Sequence, residues 1–133
     1  MTASDGLTKA LQCATAALDK KAIDLVVLDV RGLTSIADYL LICTGRSDRQ
    51  VQAIGQAVDA ELRTQGHRPI AVEGMTRGQW VLMDFNDVIV HVFQKPIREF
   101  YDLERLWEHA PEVPLPEPLR SQALGFSSET AAV

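Results

Sequence analysis

The segment GQWVLMDFNDVIVHVF, residues 78–93, gathers the side chains best suited to chemistry: Trp80, Asp84, Asp87 and His91. Two carboxylates and an imidazole could form a general acid–base pair or hold a metal ion. Their spacing speaks against both. Nucleotidyl transfer needs carboxylates at i and i+2 on one strand face, to hold Mg²⁺ against the phosphates. Asp84 and Asp87 stand three apart around a turn, where a turn-forming Asp is the commonplace explanation. The second candidate is TGRSDRQ, residues 44–50, whose Gly45 and Ser47 precede a helix as a triphosphate-holding Gly-Ser turn would. Helix capping explains Ser47 without a nucleotide, and no Asp-x-Asp follows. The three histidines, His67, His91 and His109, lie in different elements at no ligand spacing. No Ser or Cys sits in a nucleophile elbow. The expectation is a protein without catalytic residues, cofactor or metal. A nucleotide-binding or nucleotidyltransferase-like enzyme is the alternative.

The elements that must position these residues follow from periodicity. Ser4 or Asp5 can cap a first helix to about Lys20, with Leu7, Leu11, Ala14 and Leu18 on one stripe. IDLVVLDV and YLLICT read as strands buried on both faces. Ser47 and Gln50 form a capping box, and Val51, Ile54, Val58 and Leu62 recur at helical spacing up to Gly66. PIAVEG is a third strand, and residues 78–93 supply the fourth and fifth. Pro96 suits the first turn of a last helix over PIREFYDLERLWEH. The order αββαβββα implies an α+β (α/β layered) domain: a mixed five-stranded sheet with flanking helices. Residues 1–110 form that domain. Residues 111–133 form a flexible tail, with Pro111, Pro114, Pro116 and Pro118 favouring an extended course.

Alternation along a strand sorts the hairpin into faces. With a two-residue loop at Phe85-Asn86 or Asn86-Asp87, Val81, Met83, Val88, Val90 and Val92 share one face, joined by Phe85 if it stays in the ladder. All are apolar, so this face belongs to the core. Trp80, Leu82, Asp84, Ile89, His91 and Phe93 share the other. A three-residue loop would break the assignment. The mixed face has two readings. A helix could cover its apolar members, or it could be a docking surface with aromatic anchors inside a polar rim.

Composition narrows the partners. Of 133 residues, 47% are hydrophobic, enough for one packed core, and the formal net charge is -5. There is no Lys/Arg run of the kind that phosphate binding favours. Cys13 and Cys43 have no zinc-type spacing and read as buried hydrophobes of a reducing compartment. The first residues carry no apolar signal core, and no apolar run is long enough for a membrane span. The expected setting is the cytoplasm.

The segments IADYLLICTGRSDRQVQAI, GQWVLMDFNDVIVHVF and REFYDLERLW resemble, in order, the signatures of the ribosomal silencing factor family, also called RsfS or Iojap. The match runs from about residue 24 to residue 107. The resemblance implies a nucleotidyltransferase-like fold without the catalytic carboxylates, in agreement with the missing Asp-x-Asp. It implies a translation repressor of nutrient-poor conditions. Such a factor sits on large-subunit ribosomal protein number fourteen and blocks joining of the small subunit. It further implies a homodimer when free, no membrane contact and little contact with nucleic acid. On the matching motifs the partner-facing residues are Trp80, Leu82, Asp84 and His91, followed by Arg98, Tyr101 and Glu104. Phe100, Leu103, Leu106 and Trp107 read as the apolar face of the last helix. The sequence departs from the family at Asn86, where Gly is common, and at Phe85, where Tyr is common. Asn tolerates a left-handed backbone, so the turn survives.

Overall fold

The structure, a computed structural model, describes residues 3–124, with side chains from residue 6 onward. Five strands form one sheet: β1 (Ile23–Asp29), β2 (Tyr39–Gly45), β3 (Ala71–Glu73), β4 (Trp80–Asp84) and β5 (Val88–Gln94). Their spatial order is β1-β2-β5-β4-β3, with β2 and β5 parallel and every other pair antiparallel. The central pair is the most apolar. β2 is buried at every position, and β5 at every position but Gln94, as strands covered on both faces should be.

Helices α1 (Ala3–Asp19) and α2 (Asp48–Thr64) pack on one face. Ser4 and Asp5, expected as caps, lie within the bounds of α1 instead of ahead of it. In α2 the Ser47 Oγ accepts from the Gln50 N–H, as the capping box requires. The return bond goes one residue further out: Gln50 Oε1 accepts from the Arg46 N–H at 2.6 Å. Gln50 Nε2 also donates to the carbonyls of Lys20 and Lys21, tying the start of α2 to the end of α1. Gly66, with φ +84, ends the helix in a Schellman motif: Gly66 N–H donates to Arg63 C=O and His67 N–H to Leu62 C=O. Val51, Ile54, Val58 and Leu62 are fully buried against Leu41, Val81, Met83, Val90 and Val92.

The hairpin closes with Phe85 N–H donating to Val88 C=O at 2.9 Å, leaving Asn86-Asp87 as its two-residue loop. Asn86 takes the positive φ of 80° that an Asn tolerates. The expected parity holds: Val81, Met83, Phe85, Val88, Val90 and Val92 all lie in the α1/α2 core.

Three expectations change. β1 is an edge strand, with Ile23, Val26 and Asp29 only half-buried, and a bulge at Asp24, where φ is 51°. The last helix breaks at Asp102, whose left-handed φ of 48° separates α3 (Lys95–Tyr101) from α4 (Leu103–Leu106). Residues 111–113 run along the open edge of β1. Asp29 N–H donates to Pro111 C=O at 2.8 Å and Val113 N–H to Val27 C=O at 2.7 Å. Such cover protects an edge that would otherwise offer unpaired backbone groups. A short helix, α5 (Leu119–Ala123), then buries Leu119 in the first core. The rest of the expected tail, residues 125–133, lies outside the described residues.

Candidate docking face

The far side of the sheet holds a second, smaller core of Leu28, Val30, Leu40, Ile42, Ile89 and Phe93. Ile97, Leu103 and Trp107 cover part of it from α3, α4 and the turn that follows. Cover is incomplete, because α3 and α4 are short and every one of their side chains keeps some exposure. At the β4 side, Trp80 and Leu82 remain half-buried.

Trp80 is held by three rings. Phe93 stacks on it at 4.9 Å, Tyr101 meets it at 4.7 Å with planes tilted by 45°, and its Nε1–H donates to His91 Nδ1 at 3.1 Å. The acceptor role of Nδ1 requires a neutral His91. Burial enforces this by pushing the imidazole down to about 4, from an ordinary value of 6.5. His91 also stacks on Phe93 at 5.9 Å. Tyr101 is half exposed. Phe100, edge-on to Tyr101 at 5.0 Å, is 79% exposed, and Leu106 is 73% exposed. Tyr101 and Phe100 thus leave large apolar surface in water beside a fixed indole.

The residues expected to face a partner therefore divide. Trp80, His91 and Tyr101 form one aromatic cluster, and Leu82 is the cross-strand neighbour of His91. Asp84 stands at the far end of β4, where its Oδ1 accepts from the Asn86 N–H at 2.8 Å and shapes the turn. Arg98 and Glu104 face each other. Nε and one terminal nitrogen of Arg98 donate to the two Glu104 oxygens at 3.1 and 2.8 Å. Phe100 and Leu106 were expected in the core and lie on the surface. A continuous helix would put Phe100 and Leu106 on the stripe of Leu103. The left-handed Asp102 breaks that phase, and nothing in the spacing announces it.

The candidates for chemistry are absorbed by the fold. Asp87 pairs with Lys9 of α1 at 2.6 Å, locking the hairpin turn to the first helix. A Cβ on Gly45 would come within 2.9 Å of the Val51 backbone N, so the glycine serves the approach of α2. Ser47 Oγ, Asp48 Oδ1 and Ser47 C=O accept the N–H groups of Gln50, Arg49 and Val51. Those are N–H groups that a phosphate would need. Cys13 and Cys43 are free and buried, and burial raises both thiols to about 12. Among the described residues there is no group of three or more His, Cys, Asp or Glu placed to hold a metal, and no helix long and apolar enough to cross a membrane.

A mixed five-stranded sheet with one face closed by two long helices and an aromatic patch on the other defines a protein of the α+β class. Its kin are specific. The family described as "Ribosomal silencing factor during starvation" matches residues 3–132. The Bacillus subtilis ribosomal silencing factor RsfS is 46% identical over 98 residues, 74% of this chain and 83% of that protein. The chloroplastic protein Iojap of Arabidopsis thaliana is 34% identical over 119 residues, 90% of this chain and 50% of that protein. A crystal structure of a Bacillus halodurans protein superposes with a TM-score of 0.71 at 42% identity, covering 81% of this chain and 99% of that one. The chain belongs to the ribosomal silencing factor family.

Proposed function

We propose that this protein binds the large ribosomal subunit at large-subunit ribosomal protein number fourteen and prevents the small subunit from joining by occupying its place. Translation then falls when nutrients are scarce, and no catalytic step is needed. The observation that carries this reading is the patch of Trp80, Tyr101 and Phe100 on the partly covered face of the sheet, opposite the face that α1 and α2 close over the larger core. The formal charge of -5 disfavours exposed ribosomal RNA and favours a basic protein surface, whose opposite charge also speeds encounter. The cytoplasm is the compartment where such a factor acts. An apolar patch left in water is also where two free copies would meet, so a free homodimer and ribosome docking would compete for it.

Co-sedimentation with isolated large and small subunits tests the reading. The protein should pellet with large subunits and stay in the supernatant with small ones. Equal recovery with both, or with neither, would overturn it.

A further inference from the structure

Arg98 is the most heavily engaged side chain outside the aromatic cluster. Besides its two bonds to Glu104, one terminal nitrogen donates to the Asp24 carbonyl at 2.7 Å and to Thr44 Oγ1 at 2.8 Å. One guanidinium thus joins α3, α4, the bulge of β1 and the end of β2. Its side chain is only 11% exposed, against 40% for Glu104. The hydrogen bonds from Arg98 also hold the Glu104 carboxyl below the usual carboxylate range.

The neighbourhood explains why such a clamp matters. The apolar grip of α3 and α4 on the second core comes from half-buried Ile97 and Leu103, with Trp107 just beyond. Between the two helices stands Asp102 in the left-handed region, a conformation unfavourable for a residue with a Cβ. Its N–H donates to the Arg98 carbonyl at 2.8 Å, so the break starts from the same residue that braces it. Tyr101 precedes Asp102 directly, and Tyr101 is the ring that closes on Trp80.

We infer that Arg98 is a positioning residue for the docking face. Its guanidinium, locked to Glu104, Thr44 and the Asp24 carbonyl, fixes the break between α3 and α4 and through it the placement of Tyr101 against Trp80. It strengthens partner binding without meeting the partner. The inference rests on the docking reading above and assigns a role within it.

A double-mutant cycle on binding to purified large subunits distinguishes positioning from contact. Arg98→Ala should weaken binding about tenfold, the scale of losing charge-assisted hydrogen bonds that orient an anchor. In a Tyr101→Ala background the same change should cost less than about twofold, because the ring it positions is gone. Arg98→Lys should behave like Arg98→Ala, since one ammonium cannot reproduce a bidentate pair and two further bonds. Additive losses in the cycle would overturn the inference. So would unchanged binding by folded Arg98→Ala, or full binding by Arg98→Lys. If Arg98→Ala does not fold, Glu104→Gln takes its place in the cycle, and binding equal to wild type would equally overturn the inference. Failure of the wild-type protein to bind large subunits sinks the docking reading instead. Wild-type binding that Tyr101→Ala weakens, with an additive Arg98 cycle, sinks only the positioning role.

Discussion

Trp80 stands against Phe93 and Tyr101 with its indole N–H on His91, so in the proposed docking it would meet a partner already ordered, with little rotamer entropy left to lose. Trp80→Ala should therefore weaken binding to large subunits by roughly thirty-fold, the scale of a truncated aromatic anchor of about 2 kcal/mol. Equilibrium binding with a circular-dichroism check of the fold measures it, and unchanged affinity in a folded variant removes Trp80 from the interface. His91 yields a prediction of stability. Its native value lies near 4 because burial penalises the imidazolium, so the unfolded chain binds the proton more readily. Stability should fall as pH drops from about 6.5 towards about 4, by up to about 3 kcal/mol in all, and level off below for this group. His91→Phe should flatten the part of that decline between pH 6.5 and 5 in thermal unfolding. A variant as acid-sensitive there as wild type would show that His91 is not its source.

The elements around β4 depend on two glycines that bracket the loop before it. Gly74, with φ +83, would place a Cβ 1.9 Å from the Trp80 carbonyl oxygen, and Gly78, with φ +68, would place one 2.5 Å from the Asp48 carbonyl oxygen. Gly74→Ala should then destabilise the fold by more than about 1 kcal/mol, through backbone strain and a clash with backbone that cannot yield. Thermal unfolding measures this, and an unchanged midpoint would contradict the geometry. Much of the element pattern is legible in the sequence, because it rests on local rules. Ser47 and Gly66 mark the ends of α2, and strand parity separates Val81, Met83 and Val90 from Trp80, Leu82 and His91. Parity needs only the loop length, and Asn86-Asp87 satisfies it. What escapes local rules depends on distant contacts. The break at Asp102 is braced by Arg98 reaching back to Asp24 and Thr44, far away in the chain, so helical spacing put Phe100 and Leu106 inside. The edge position of β1 and its pairing with residues 111–113 are equally non-local.

At the scale of the whole molecule, one sheet separates two tasks. The α1/α2 side holds the larger core, and the other side carries an aromatic patch whose surroundings are only partly covered. The side chains that first suggested catalysis serve this division: Asp84 shapes the hairpin turn, Asp87 ties it to α1, and His91 fixes Trp80. On the proposed reading, a chain of this size would need only affinity and bulk at the subunit junction to exclude a ribosomal subunit. Sucrose-gradient sedimentation of mixed small and large subunits, with and without excess protein, tests that claim most directly. Steric occlusion requires whole ribosomes to diminish and free subunits to accumulate, with the protein travelling in the large-subunit fraction. An undiminished whole-ribosome peak at saturating protein would contradict it.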